Sequence, residues 1–253
     1  MISNSGKDEN GKYSSGKAGD QTGKEWHIIE WYNRPWNCVL RHPKEEVRQL
    51  IADMARAAAK NNHIGYDQGQ RTTFWDELKK AKYKVNDIKK DCEADCSAGV
   101  CSIVKAVGYR KNITKLKNIP ITTTHYMRKE FKAAGFEVLT DSKYLTSDDY
   151  LLPGDILLND QHHTATNLDK GKKVKDEKPK NNKKYAKVTT KGSELNCRAK
   201  PSVLGSVVGT FKNGAKLEVI SKSNSKWYKV KGNSTNKGKL ICGYCRSSYL
   251  KEI

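Results

Sequence analysis

At 253 residues the chain is long enough for one or two domains with cores of their own. Its formal charge of +20 draws it to polyanions over a long range that salt shortens. That charge does not choose among nucleic acid, anionic lipid and a teichoic-acid-bearing Gram-positive wall. The opening stretch "MISNSGKDENGKYSSGKAGD" lacks the apolar run of a secretion signal, and no later stretch is long enough to span a bilayer. The expectation is a chain made and kept in a cytoplasm, with its seven cysteines reduced. The odd number of cysteines argues against a complete disulfide framework.

Taken in chain order, residues 1–42 contain three of the five tryptophans and no clear helical period, and read as a segment wrapping a core. "PKEEVRQLIADMARAAAK" follows, with Val47, Leu50, Ile51, Met54 and Ala58 on one helical stripe behind Pro43 and an acidic first turn. "TFWDELKKA" predicts a second helix. "SAGVCSIVKAVG" predicts a third, with Val100, Ile103, Val104 and Val107 in register and Gly108 as its stop. "HYMRKEFKAAG" predicts a fourth, closing at Gly135. Short strand candidates come next: "FEVL", "DILLN" behind the turn "LPGD", and "HHTATNL". Helices first and strands afterwards predict an α+β domain with an antiparallel sheet over residues 1–168.

Residues 169–184 are lysine-rich and nearly free of apolar side chains, the composition of a linker. From 185 to 253, short β-type runs alternate with Gly, Asn, Ser and Pro, which predicts a small all-β barrel. Residues 183–253 carry 16 Lys and Arg against 3 Asp and Glu, so this segment supplies +13 of the net charge.

The stretch "DCEADCSAGV" poses the chemical question. A zinc site needs two ligand pairs, and Cys92 with Cys96 offers one half only, so no metal and no other cofactor is expected. As a nucleophile, Cys96 is well situated: with Asp95 as helix cap it sits in a first turn, whose free N–H groups and dipole favour a thiolate. Spacing alone does not separate this from an ordinary buried helix thiol such as Cys101. A base is also required. His162 and His163 share a strand and point to opposite faces, so only one of them can meet Cys96. His27, His42, His63 and His125 lack this strand setting.

"DCSAGV" followed by "PGDILL" and "HHTA" resembles the papain-like cell-wall peptidases of the NlpC and CHAP type, over residues 43–176. The resemblance implies a papain-like domain in which Cys96 attacks an amide carbonyl to form a thioester, and His163, chosen by the H-x-A frame, takes and returns the proton. It also implies an oxyanion site that includes the Cys96 N–H, with Tyr66, Asp95 and Ser97 contacting the peptide. Two departures stand out. Ala98 occupies a position where the family often has glycine, with Gly99 next. Lys175 falls where the family places the residue that orients the histidine, and lysine cannot accept an imidazole N–H. Asp176, by a one-residue shift, and Asn167 are the alternatives for that role. The tryptophan-rich N-terminal segment also has the look of one found in some clostridial-type phage lysins.

"ELNCRAKPSVLGSVVGTFKNGAKLEVI", with "WYKVKG" and "GYCRSSYL", is similar to the bacterial SH3 domain, and puts Cys197 and Cys245 at core strand positions. Such domains commonly bind wall polymers, which makes Trp227, Tyr228, Tyr244 and Arg246 candidates for a ligand groove. Together the resemblances imply a phage endolysin, a hydrolase of Gram-positive peptidoglycan with no nucleic-acid partner, held in the host cytoplasm until a holin opens the membrane. An inactive wall-binding protein and a bacterial autolysin of the same fold are the alternatives. The bond stays open among the D-Glu to diamino-acid link, a cross-bridge and the N-acetylmuramoyl-L-alanine amide.

Overall fold

The computed structural model describes residues 1–174, 184–236 and 238–253. The chain divides into two units, Met1–Asp176 and Glu177–Ile253. In the first unit the elements run β1 (Ile2–Ser5), β2 (Trp26–Ile29), β3 (Cys38–Arg41), α1 (Glu45–Ala58), β4 (Ile64–Gly65), α2 (Thr73–Lys80), β5 (Cys92–Glu93) and α3 (Cys96–Lys111). They continue with α4 (Thr114–Lys117), α5 (Thr124–Ala134), β6 (Glu137–Leu139), α6 (Ser142–Leu145), β7 (Ile156–Asn159) and β8 (His163–Asn167). Six strands form one antiparallel sheet in the order β2-β1-β8-β7-β3-β6.

The segment expected to wrap the domain instead supplies three of these six strands. β1 lies in the middle, between β2 and β8, and all four of its residues are buried. Only Ile2 in "ISNS" is strongly apolar, so neither alternation nor hydrophobicity marks the strand; its partners 160 residues away do. β4 and β5 pair in parallel, Ile64 against Cys92 and Gly65 against Glu93, which carries Tyr66 to the approach of Cys96.

α1 is amphipathic. Val47, Ile51, Met54, Ala55 and Ala58 face the core, and Glu45 and Glu46 in the first turn complement the helix dipole. α3 is different: Cys96 to Val104 and Ala106 to Gly108 are all buried, because α1, α2, α4 and β8 surround it. Burying nine-tenths or more of Ile103, Val104 and Val107 stabilises the unit by about 2 kcal/mol each.

Two glycines make this packing possible. A Cβ on Gly99 would stand 2.6 Å from the Trp26 indole, so the glycine lets that ring lie flat against the helix. Trp26 in turn donates through Nε1 to Ser3 Oγ at 2.8 Å and meets Phe74 edge-on. Gly108 is not the helix stop expected of it. The helix runs on to a left-handed Asn112 (φ 54°), and Gly108 is the point where the α4 backbone crosses, with a Cβ there 2.5 Å from Lys117 N. Gly135 does end α5, at φ 101°.

The second unit comprises β9 (Lys184–Val188), β10 (Leu195–Arg198), β11 (Val207–Phe211), β12 (Lys216–Asn224), β13 (Trp227–Asn233), β14 (Leu240–Arg246) and β15 (Leu250–Glu252). They form a single antiparallel sheet in the order β11-β10-β14-β13-β12-β9-β15. Strand alternation turns Val188, Leu195, Cys197, Phe211, Leu217, Val230 and Cys245 into one core. Cys197 and Cys245 are therefore packed thiols, while Cys242 on the other face is exposed.

Candidate active site

The site is built on the N-terminus of α3. Asp95 is its cap: its carboxylate accepts from the Ala98 N–H at 2.7 Å and from Ser97 Oγ at 2.8 Å. Arg71 grips the same carboxylate through Nε and Nη2 and also donates to Ser97 Oγ and to Thr122 O, each at 2.9 Å. Asp95 and Ser97 are thus buried and committed to holding the helix end and Arg71. Both were expected to meet the peptide; the structure shows their oxygens bonded within the protein.

Cys96 opens the helix and is 9% exposed. Burial pushes its thiol up to about 12, with the Asp95 charge adding to the effect. The backbone N–H groups of Thr164 and Ser97 and the Arg34 guanidinium pull in the opposite direction. The Thr164 N–H belongs to β8, so the strand that carries His163 reaches the sulfur itself. His163 is 5% exposed, and burial, helped by Arg34, pushes its imidazole down to about 4. Burial thus favours the neutral thiol at Cys96 and the neutral imidazole at His163.

The imidazole is held from two sides. Its Nε2 lies 2.7 Å from Asn4 Oδ1, and its ring stacks on Trp36 with centroids 6.1 Å apart. An amide oxygen only accepts, so Nε2 carries the proton and Nδ1 keeps its lone pair. Register explains why Asn4 can do this. β1 pairs with β8 as Ile2–Asn167 and Ser3–Thr166, which puts Asn4 opposite Ala165, on the face that His163 shares. Tyr32 Oη contacts the same Asn4 oxygen at 3.5 Å.

Among the described residues Asn167, one of the two expected orienting residues, does not meet the imidazole. Asn167 donates through Nδ2 to Leu152 O and Asp169 O, and sits four residues further along β8, about 13 Å from His163 at strand rise. Asp176, like Lys175, lies outside the described residues. Asn4 carried no signal in the sequence, because it acts across 159 residues from a strand that sequence patterning does not mark.

A cleft of about 570 Å³ has His163, Asn4, Tyr66, Gln68, Arg34 and His162 in its lining. Tyr66 is nearly buried, and burial pushes its phenol up; Gln68 Nε2 donates to its Oη at 3.1 Å. His162 also faces this cleft, from the exposed turn before β8. His27, set aside because it lacked a strand setting, lies in β2 and lines the same cleft.

Beneath the cleft wall, Glu25 Oε2 accepts from the Tyr66 N–H and Glu93 Oε1 from the Gly19 N–H. Glu93 is 1% exposed and its Oε2 has no partner. Burial pushes this carboxyl up to about 8 against the Gly19 hydrogen bond, with Glu25, Asp67 and Glu9 adding to the rise. Among the described residues no group of three or more His, Cys, Asp or Glu is arranged to hold a metal.

In the second unit the four candidate wall-binding residues fall on two faces. β13 and β14 pair as Trp227–Arg246, Tyr228–Cys245 and Lys229–Tyr244. Tyr228 therefore shares the face of Cys245 and packs on the core, with its hydroxyl donating to Glu252. Trp227, Tyr244 and Arg246 lie on the opposite face. Arg246 stacks over Trp227 at 5.2 Å, and Lys229 lies 5.8 Å from the Tyr244 ring.

The family described as Endolysin-like domain matches residues 2–174, and the one described as Bacterial SH3 domain matches residues 193–251. No curated protein matches the chain.

Proposed function

The chain belongs to the endolysin-like domain family, followed by a bacterial SH3 domain, and on that premise we propose a cysteine hydrolase that cuts an amide in the peptide part of Gram-positive peptidoglycan. The observation that carries this reading is the hydrogen bond from His163 Nε2 to Asn4 Oδ1. It leaves the Nδ1 lone pair available on the strand whose next residue touches the Cys96 sulfur.

In this reading His163 Nδ1 takes the thiol proton as Cys96 Sγ attacks the carbonyl carbon. The carbonyl electrons move to oxygen, where the Cys96 N–H in the first turn of α3 stabilises the charge. The tetrahedral adduct collapses, His163 gives its proton to the departing amine, and a thioester remains. Water then attacks with His163 again as base, releasing the acid and restoring the thiol. Burial disfavours the ion pair at rest, so substrate binding and proton transfer proceed together. A nucleophile at a helix start, a base on the next strand of an antiparallel sheet and an amide orienting that base also support a papain-like catalytic domain. The SH3 domain holds the enzyme on the wall.

Lys175 at the orienting position kept an inactive wall-binding protein open; an acceptor for the imidazole at Asn4 supports the hydrolase over it. The test is digestion of Gram-positive sacculi with the wild type and with Cys96→Ala, reading released muropeptides and new amino groups by mass spectrometry. New termini from the wild type alone are expected, and their identity names the bond. Binding without new termini across several wall chemotypes would sink the proposal.

A further inference from the structure

The cleft that His163 lines is unbalanced in charge. Arg34, Lys7 and Lys24 line it, together with His27 and His162, and no carboxylate does. Carboxylates are abundant in the neighbouring loops, but those of residues 8–20, 67 and 95 are tied to the protein's own donors. Asp8 accepts from the Asn10 and Lys12 N–H groups, and Glu9 from that of Lys17. Asp20 caps residues 22–26, Asp67 holds the Ser15 and Gly69 N–H groups, and Asp95 holds Arg71. Backbone and Arg71 consume the negative charge, and the cleft keeps the positive.

Of the cations that line the cleft, Arg34 is the one whose field is felt at Cys96 and His163. It is half-buried. Among the described residues neither the Arg34 guanidinium nor the Lys24 ammonium has a hydrogen-bond or ion-pair partner, and Lys7 lies over the Tyr13 ring. A half-buried guanidinium without an anion is a planar, five-donor receptor for a carboxylate. In a water-poor cleft the pairing is stronger than at the open surface.

We propose that Arg34 binds a free carboxylate of the wall peptide beside the scissile amide, so that the enzyme selects stems with a free D-glutamyl α-carboxyl over stems in which that group is amidated. This rests on the hydrolase reading above and adds its substrate class. Lys7 and Lys24, further out, steer anionic peptide toward the cleft and make capture salt-dependent.

The test uses two synthetic peptides, L-alanyl-γ-D-glutamyl-L-lysyl-D-alanine with its glutamyl α-carboxyl free, and the same peptide with that group as the carboxamide. Binding to the full-length Cys96→Ala chain is measured by calorimetry at low and physiological salt. The carboxylate peptide is expected to bind about tenfold tighter, which corresponds to about 1.4 kcal/mol. Adding Arg34→Gln should bring its affinity down to that of the carboxamide and leave the carboxamide unchanged. Arg34→Lys keeps the charge without the fork, folds if the glutamine variant does not, and should retain part of the preference. Equal affinities for the two peptides, including no measurable binding of either, would overturn the proposal, as would an unchanged ratio in both Arg34 variants. A preference that stands while wild-type protein releases no termini from sacculi would count against the hydrolase and not against the carboxylate site.

Discussion

The two units differ most in what they bury. Among the described residues, the first hides nineteen polar or charged side chains, among them Asn4, Glu25, Glu93, Asp95, Asp155 and His163, whereas the second hides only Thr190 and Ser234. A buried polar group is costly unless it is paired, so a core of thiols and aliphatics is the cheaper construction. The barrel uses it. The first unit departs from it in β1, β8, the start of α3 and the loops that lead to them, the same elements that hold Cys96, His163 and Asn4.

The sharpest way to break the comparison is to remove the base. His163→Ala should lower kcat/KM on sacculi by about a thousandfold, the size of a general-base contribution. Thermal stability should fall by far less, since the change also removes a buried ring that is satisfied only through Asn4. A His162→Ala variant, one residue away on the exposed turn, should stay within about threefold of the wild type. Equal losses from the two variants would mean that the buried network around Asn4 does not select the base.

Titration should separate the units next. The folded pKa of His163 is pushed down from 6.5 to about 4, so the unfolded chain takes up this proton first as pH falls. The stability tied to its neutral burial is complete above pH 6.5 and is lost as pH falls towards 4, a difference of about 3 kcal/mol. Glu93 has the opposite sign. Its folded pKa is raised from 4.5 to about 8, so its contribution is complete below 4.5 and is lost as pH rises through 8. Calorimetry between pH 4 and 9 should show His163→Gln flattening the acid side and Glu93→Gln raising Tm by about 5 °C at pH 8.5. The isolated barrel transition should move with neither.

Asn4 gives a smaller effect and a more discriminating one. Asn4→Ala removes the acceptor that fixes the tautomer, and should cost about thirtyfold in kcat with little change in KM. Asn4→Gln should recover little of it, because one extra methylene displaces the oxygen from Nε2.

Legibility followed the same division. Cys96 and its cap Asp95 are neighbours in sequence, and α3 is surrounded, so local pattern and apolar run agree. A short frame singled out His163, which the structure places buried on β8 and lining the cleft. Asn4 was not legible: "ISNS" is a strand only because β2 and β8 flank it, and its amide matters only through a contact spanning 159 residues. Arg34 gave no signal for a related reason: that it lines a cleft with no carboxylate in its lining is visible only in three dimensions. The end of α3 was misread because Gly108 has the composition of a helix stop but serves a backbone crossing. In the barrel, glycine spacing and strand alternation identify the core directly, although not which side of it Tyr228 would take.

That side supports the smallest prediction. Tyr228 packs on the barrel core, so Tyr228→Ala should lower the barrel's stability by about 2 kcal/mol through lost burial. Tyr244 and Arg246 lie on the outer face, where Lys229 and Trp227 give them only cation–π contacts, each about 0.5–1 kcal/mol at an exposed position. Their replacement by Ser and Gln should leave Tm within about 1 °C. If that face grips the wall, sedimentation with sacculi should weaken three- to tenfold, more at low salt than at high, because part of the attraction is between the basic barrel and an anionic polymer. Loss of stability without loss of binding from the outer pair would place the wall contact elsewhere on the sheet, and would leave the barrel's charge, not its aromatic residues, as the source of its affinity.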